Sequence, residues 1–272
     1  MRCFEIITLY YILCLILIGI IVGLCSGLFG IGGGFLMVPL QFILLTSNNI
    51  DPSTALLVSF ATSLSVIIPT SLSSVYTHNK NLNNIIKPGI LFGIFGILGG
   101  FLGGFLAVRI PVKYLQIIFG ILLIIIAIKM FFEKDSETKS SDKKNLNIFY
   151  YGIIGIFVGI CSGLLGIGGG AVLLPILSSV LGYSFIEAVG ISSVFITLTA
   201  IGGMSSYIIS GFNTNPLPYS LGYVNLLNFI GISVFSIPFA IIGAKLSHKM
   251  SGNLLKKIFS LIVILLGIKM MF

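Results

Sequence analysis

The ten residues CSGLFGIGGG at positions 25–34 occur again as CSGLLGIGGG at positions 161–170. The two copies differ at one position, where Phe29 in the first is replaced by Leu165 in the second. A long match of this kind, far apart in one chain, indicates an internal duplication. Three consecutive glycines end each copy, so each copy also marks a place where a helix is easily interrupted.

The match between the two parts of the chain extends beyond these glycine signatures. A proline follows each signature at the same distance, at Pro39 and at Pro175. Two further matches align Thr62-Ser63 with Ser192-Ser193 and Ile128-Lys129-Met130 with Ile268-Lys269-Met270. We therefore predict two homologous halves, residues 1–132 and residues 148–272, joined by a hydrophilic linker at residues 133–147 that is rich in Lys, Asp, Glu and Ser.

The composition predicts a protein that lies within a membrane. Hydrophobic residues make up 57% of the chain and charged residues 8%, and the mean hydropathy is +1.16. Residues 6–50, 145–186 and 188–244 contain no Asp, Glu, Lys or Arg. Each of these runs is long enough for about two helical crossings of ~20 residues. The fold class is therefore all-α, integral to a membrane.

We expect four to five hydrophobic helices in each half, eight to ten segments in total, with a glycine-rich helix break in both halves. Hydropathy does not decide whether the short pieces beside the glycine signatures cross the membrane or are re-entrant. The expected segments are 6–28, 33–47, 54–77, 87–108 and 113–132, followed by 148–165, 169–182, 186–209, 222–247 and 254–272.

The basic residues predict topology rather than nucleic-acid binding. The net charge is +8, but the Lys and Arg residues lie in short connections and form no basic aromatic surface. Lys80, Lys87, the linker and residues 245–257 can all face the cytoplasm only if the halves have opposite orientations. We therefore expect inverted repeats, with the C-terminus and the connection at Arg109 outside.

The glycine signatures are the main candidate for a binding site. A helix that begins inside a membrane offers free backbone N–H groups and a positive dipole end, which suit an anion. The alternative is that these glycines only allow close helix packing. A nucleotide-binding function is excluded because no P-loop lysine or strand accompanies them. The candidate binding glycines are Gly32, Gly33, Gly34, Gly168, Gly169 and Gly170.

Hydroxyl groups in the middle of apolar helices complete the candidate site. Thr62, Ser63, Ser192 and Ser193 are expected to bind the solute, although such hydroxyls often bond only to their own or a neighbouring helix. Residues proposed for coupling or gating are His78, Pro69, Thr70 and Ser71. For His78 the alternative is a solvated residue at the membrane interface.

No enzymatic chemistry is predicted. No Asp or Glu falls in the middle of an expected helix, so neither a carboxylate proton relay nor an intramembrane aspartyl protease is supported. No Ser and His form a nucleophile arrangement. The four cysteines lack metal-ligand or disulfide-framework spacing. We expect no catalytic residue, no metal and no cofactor.

The sequence resembles the sulfite exporter TauE/SafE family over essentially its whole length. The resemblance rests on both glycine signatures with their following prolines, on Ala61-Thr62-Ser63-Leu64, and on the run from Ile68 to Ser74 that ends near His78. It implies a permease for sulfite, organosulfonates or related oxyanions. The second half departs from the pattern, because Ser192-Ser193 replaces Thr-Ser and no histidine matches His78.

The favoured hypothesis is a secondary transporter that carries a small anion, with a site at the interface of the halves. Two alternatives remain open: a passive anion channel, and a membrane assembly or scaffold protein that transports nothing. Expected partners are the anion and the lipid bilayer, with a coupling ion (a proton or sodium) and a homodimer compatible with the sequence, and with no nucleic acid. The expected location is the plasma membrane, with several crossings.

Overall fold

The structure is a computed structural model that describes residues 2–29, 32–79, 85–132, 147–214, 216–247 and 264–270. Almost all of these residues are helical, and the strands are limited to one short hairpin of β1 (Ser220–Leu221) and β2 (Val224–Asn225). The helices are α1 (Arg2–Phe29), α2 (Gly34–Ser47), α3 (Pro52–Asn79), α4 (Ile86–Ala107), α5 (Val112–Phe132), α6 (Ile148–Leu165), α7 (Gly170–Pro175), α8 (Phe185–Gly211) and α9 (Leu226–Ser247). The predicted all-α class is confirmed.

Six of the helices in the described part of the chain are long and apolar enough to cross a membrane. The α2 helix and the apolar part of α5 are shorter. The six spans are Leu9–Phe29, Pro52–His78, Ile86–Ala107, Ile148–Leu165, Ile186–Gly211 and Leu226–Leu246. The chain is therefore a multi-pass integral membrane protein.

Helices α3 and α8 form the centre of the molecule. In their apolar spans 83% and 78% of the residues are buried, whereas the value is 33% for both α6 and α9. The two central helices pack against each other, and the other helices surround them. Most side chains on α3 and α8 are therefore enclosed by the other helices.

The packing around this centre crosses between the two parts of the chain. Helix α1 packs against α9, and α4 packs against α6. In addition, α9 lies against α3, and α4 lies against α8. The main partners of α4 are thus α6 and α8, and those of α9 are α1 and α3. Each tight pair combines one helix from residues 1–132 with one from residues 148–272.

Glycines bring the paired helices into backbone contact. A Cβ on Gly27 of α1 would collide with the carbonyl of Ala240 and lie 2.6 Å from the nitrogen of Ala244 on α9. A Cβ on Gly163 of α6 would collide with the carbonyl of Gly100 and lie 2.8 Å from the nitrogen of Gly104 on α4. Small residues commonly permit such close approach in membranes. We call these two contacts the α1–α9 seam and the α4–α6 seam.

Some expected segments differ in detail from the structure. The short helix after the second signature widens into a π-helical turn at Ile176–Val180, and Gly182 with φ 75° ends it. Helix α9 begins at Leu226 instead of residue 222 because the β1–β2 hairpin occupies the preceding residues. Of the expected segment 254–272 only residues 264–270 are described, and they are helical. The expected linker lies outside the described residues except for Asn147.

Candidate functional site

In the residues that the structure describes, the two glycine signatures end with the same backbone conformation. Helix α1 ends at Phe29 and α2 begins at Gly34, while α6 ends at Leu165 and α7 begins at Gly170. The residues that precede α2 and α7, Gly33 and Gly169, have φ values of 69° and 81°. Only glycine adopts this left-handed conformation without strain. The predicted helix breaks are thus present in both signatures.

Both short helices begin with the same hydrogen bonds. The carbonyl of Gly33 accepts from the N–H groups of Leu36 and Met37, at 3.1 and 3.0 Å. The carbonyl of Gly169 accepts from Val172 and Leu173 at the same two distances. The N–H groups of the residues just before Leu36 and Val172 therefore lie in the first turn of each helix. In the first turn, no carbonyl of the same helix is available to accept from them. Each loop thus presents the positive end of a helix.

The two loops meet at one place in the protein. A Cβ on Gly32 would lie 3.0 Å from Cγ2 of Ile196, and a Cβ on Gly168 would lie 2.8 Å from the same atom. Ile67 also lies against both Gly32 and Gly168. A Cβ on Gly34 would lie 2.8 Å from the carbonyl oxygen of Gly166. The central helices α3 and α8 thus each place one isoleucine against both loops.

Ser63 and Thr62 have different roles in this geometry. The Ser63 hydroxyl donates to the carbonyl oxygen of Gly166 at 2.8 Å, so it connects α3 with the second glycine loop. The Thr62 hydroxyl oxygen accepts from the backbone N–H of Asn225 at 3.1 Å. Asn225 is the residue before α9, and its side chain accepts from the N–H of Asn228 at 3.0 Å. Thr62 therefore holds the beginning of α9.

Ser192 and Ser193 are both buried in α8. The Ser193 hydroxyl donates to the carbonyl of Val189 at 2.8 Å and lies 3.3 Å from the hydroxyl of Ser74 on α3. For Ser193 the structure shows both arrangements expected of a packing hydroxyl, a bond to its own helix and a contact with a neighbouring helix.

The geometry also changes the correspondence between α3 and α8. Ile67 and Ile196 take equivalent places against the glycine loops, and Ser63 precedes Ile67 by the same number of residues as Ser192 precedes Ile196. The geometry therefore pairs Ser63 with Ser192, one residue away from the sequence pairing of Thr62-Ser63 with Ser192-Ser193. In this register Thr62 corresponds to Ile191, and His78 corresponds to Tyr207.

A row of hydroxyl contacts joins the two central helices on the side of His78. The hydroxyls of Ser71 and Thr197 lie 2.7 Å apart, and the pair formed by Ser74 and Ser193 follows one turn later along α3. His78 comes one further turn along and is fully buried, with 0% exposure. The alternative of a solvated histidine is therefore wrong.

The other two residues proposed for coupling or gating also lie within α3. Thr70 bonds to the carbonyl of Val66 at 2.7 Å, and its hydroxyl lies 2.9 Å from that of Ser236 on α9. Pro69 is part of the helix and has no N–H to offer to the preceding turn. Thr70 therefore joins α3 to α9, as Ser71 joins α3 to α8.

Sequence reasoning missed Gln41 and Tyr207. Gln41 is the only side-chain amide in α2 and is fully buried, so an isolated polar residue in an apolar helix was the available signal. The hydroxyl of Tyr207 donates to the carbonyl of Gly163 at 3.0 Å. Nothing in the sequence pointed to Tyr207, because its importance lies in a contact with a distant helix.

Formal charges are missing from the described residues nearest the two loops. Helices α2, α3 and α7 contain no Asp, Glu, Lys or Arg, and α8 contains only Glu187, in its first turn. The Glu187 side chain is used there in a capping box with Ser184. Among these described residues, only neutral groups are therefore available to attract an anion at the loops, namely backbone N–H groups, helix dipoles and uncharged polar side chains.

Comparison with known proteins identifies the family. The model of the sulfite exporter TauE/SafE family matches residues 15–270. A protein of Haemophilus influenzae named "Probable membrane transporter protein" is 34% identical over 96% of this chain and 98% of its own. A protein of Methanocaldococcus jannaschii with the same description is 35% identical over 94% of both chains. No solved structure matches. The chain therefore belongs to the sulfite exporter TauE/SafE family of membrane transporters.

Proposed function

We propose that this protein is a secondary transporter that moves a small anion through a site formed by the two glycine loops. One observation carries the proposal: two loops from distant parts of the chain, each the start of a helix, meet at Ile67 and Ile196. Helix starts inside a membrane protein are suited to anions because their N–H groups need acceptors. Such paired breaks are also a recurring design of transporter sites.

A sulfur oxyanion, such as sulfite or an organosulfonate, is the proposed solute. The family description supports sulfite, and the chemistry of the loops supports an anion with several acceptor oxygens. In this proposal Gly32–Gly34 and Gly168–Gly170 supply backbone donors, and the hydroxyls of Ser63 and Ser192 lie beside them. Thr62 and Ser193 contribute through α9 and α3, to which their hydroxyls are joined.

We further propose that the row from Ser71 through Ser74 to His78 couples or gates transport, with a proton or sodium as the coupling ion. The row lies between the two central helices, and a buried histidine in a membrane protein usually serves function. A change in the α3–α8 contact would reach the glycine loops through Ile67 and Ile196, because both residues belong to the same two helices.

We also propose that the two halves have opposite orientations in a plasma membrane. Helix α1 packs against α9 in the same way as α6 packs against α4, which supports two halves of corresponding structure. The distribution of lysines supports opposite orientations of these halves. In this arrangement a cysteine introduced at Arg109 is labelled from outside the cell, and one at Lys245 is labelled only after permeabilisation. Labelling of both from one side would contradict the inverted arrangement.

The thermal stability of the detergent-purified protein, measured with a panel of anions, tests the function. The panel contains sulfite, sulfate, thiosulfate, sulfoacetate, small carboxylates and chloride. A ligand that binds the folded state stabilises it, by about 2.7 kcal/mol at a hundredfold excess over its Kd. The melting temperature rises as a result. We expect a sulfur oxyanion to stabilise the protein and the Ser63→Ala substitution to weaken that effect.

Flux in proteoliposomes then separates the alternatives. A secondary transporter gives saturable flux that responds to a gradient of a second ion. Flux that rises linearly with concentration and ignores any second ion would indicate a passive channel. Neither stabilisation nor flux with any anion would favour an assembly or scaffold function.

A further inference from the structure

Gln41 is a buried polar side chain without a hydrogen-bond partner among the described residues. It lies in α2 with 0% exposure, and neither its Nε2 nor its Oε1 has a hydrogen-bond partner in the part of the chain that the structure describes. A buried polar group that makes no hydrogen bond destabilises the folded protein. Such a cost calls for an explanation, and a bound solute that completes the hydrogen bonds is one.

The position of Gln41 places it on the face of α2 that meets the glycine loops. Gln41 follows Gly34 by two turns of α2, which puts both residues on the same face of the helix to within about 20°. At Gly34 this face lies against the second loop, where a Cβ would lie 2.8 Å from the carbonyl of Gly166 and 2.8 Å from Cδ1 of Ile67. Helical side chains commonly lean toward the N-terminus of their helix. A Gln41 side chain in such a rotamer extends its amide from α2 back toward the meeting place of the loops.

The second half has no equivalent amide. Leu177 follows Gly170 by the same number of residues as Gln41 follows Gly34, and Leu177 is also fully buried. Backbone donors are thus present in both loops, whereas a side-chain amide is present on one side only.

We propose that Gln41 is a specificity-determining residue of the anion site, and that its carboxamide N–H donates to an oxygen of the solute. The proposal rests on the transport function proposed above. Backbone N–H groups and helix dipoles attract any small anion, whereas a directed amide favours an anion with acceptor oxygens over a spherical halide. Gln41 therefore selects oxyanions.

The test compares flux of sulfite and thiosulfate with flux of bromide in proteoliposomes that contain the wild-type protein or Gln41→Leu. Leucine is the residue of the second half at this place. The expected result is a decrease of about tenfold in the ratio of oxyanion to bromide flux, since a hydrogen bond to a charged acceptor contributes about a factor of ten or more. Gln41→Met, which keeps the length of the side chain without its hydrogen-bonding groups, should give the same decrease if Gln41→Leu does not fold.

Thr46→Val is the matched control. It removes a hydroxyl from the same helix, but that hydroxyl bonds to the carbonyls of Phe42 and Ile43 of its own helix. The flux ratio should not change. The melting temperature is measured for all variants, because Gln41→Leu should raise it whether or not the amide contacts a solute.

Two outcomes would overturn the inference, and they can be distinguished. A higher melting temperature of Gln41→Leu with an unchanged flux ratio would mean that the amide is only a buried polar group, and the transport function would stand. If the wild-type protein moved neither oxyanions nor bromide, the proposed function and the role of Gln41 would both be wrong.

Discussion

The described residues of the two glycine loops have the same backbone conformation, but the side chains around the loops differ. Gly33 and Gly169 share the left-handed conformation and the same pair of accepted hydrogen bonds. By contrast, three polar residues of the first half have different counterparts in the second. Gln41 corresponds to Leu177, Thr62 to Ile191 and His78 to Tyr207. The described backbone is thus alike in the two loops, whereas these three polar side chains are not repeated at the matching positions.

The difference suggests that the backbone groups and the side chains around the loops have different roles. In the proposed function, the backbone groups attract anions in general, and this requires only that the chain bends in the same way in both loops. The proposed selectivity and coupling depend on side chains, for which a single copy is sufficient. Substitutions that act on the shared backbone should therefore have similar effects in both halves, while those that act on side chains should affect one half only.

The largest expected effect concerns the two seams, which both halves share. Gly163→Val and Gly27→Val each place a side chain where the backbone of the partner helix lies. We expect each to destabilise the protein by about 3 kcal/mol or more, because no flexible side chain is available to move. Thermal unfolding in detergent measures the loss.

Gly152→Ala is the control for this prediction. It lies on the same helix as Gly163, but its Cβ would meet only ring atoms of Phe95, at 3.5 Å or more. The melting temperature should be nearly that of the wild type. Equal stability of Gly163→Val and Gly152→Ala would mean that the α4–α6 seam is not a close contact.

The next effect concerns the glycine loops. Gly33→Ala and Gly169→Ala each force a side chain into a left-handed conformation, at about 1–3 kcal/mol. Gly33→Ala should be the more damaging, since its Cβ would lie 2.8 Å from the backbone carbonyl of Val22, whereas that of Gly169 meets only side chains, at 3.0 Å or more. Melting temperature and anion flux should both follow this order. The reverse order would show that the loops differ more than their backbones indicate.

A smaller effect separates His78 from Tyr207. Tyr207→Phe removes the hydrogen bond to the carbonyl of Gly163 and should cost about 1 kcal/mol without a change in coupling. His78→Tyr introduces the residue of the second half and should uncouple flux from a gradient of the second ion. The measurement is flux with and without that gradient. If Tyr207→Phe uncoupled the flux and His78→Tyr did not, the coupling residue would be in the second half.

The smallest effect concerns the first turns of the two central helices. Asp51 precedes α3, and its carboxylate accepts from the N–H groups of Ser53 and Thr54 at 3.0 and 3.2 Å. These hydrogen bonds lower the pKa of Asp51. The largest contribution comes from the hydrogen bond that the Ser53 hydroxyl donates, and the second largest from the Thr54 N–H. Helix α8 is instead capped by Ser184 with Glu187.

Because the pKa of Asp51 is lower in the folded protein, its carboxylate stabilises the fold above its unfolded pKa, and this contribution is lost as the pH falls through the folded pKa. Asp51→Ala should therefore lower the melting temperature slightly at neutral pH. The difference from the wild type should disappear in strong acid. A difference that grows on acidification would contradict this role.

The sequence was sufficient to predict the fold class, because long runs without charge have few alternatives to membrane helices. It also predicted both helix breaks, since a helix is easily interrupted at three adjacent glycines. The sequence aligned Thr62-Ser63 with Ser192-Ser193, whereas the contacts of Ile67 and Ile196 with the loops favour a pairing of Ser63 with Ser192. It did not predict that His78 is buried, because a residue near the end of an apolar segment is covered or exposed according to the packing of other helices.

The seams limit how the molecule can change shape. Each of them fastens a helix of residues 1–132 to a helix of residues 148–272, through backbone contacts at Gly27 and at Gly163. A movement that pulled the two halves of the chain apart would have to open both seams at once. Both seams therefore oppose a separation of the two sequence halves. Helix α4 is in addition held to the central helix α8, because a Cβ on Gly202 would collide with the carbonyl of Ile97.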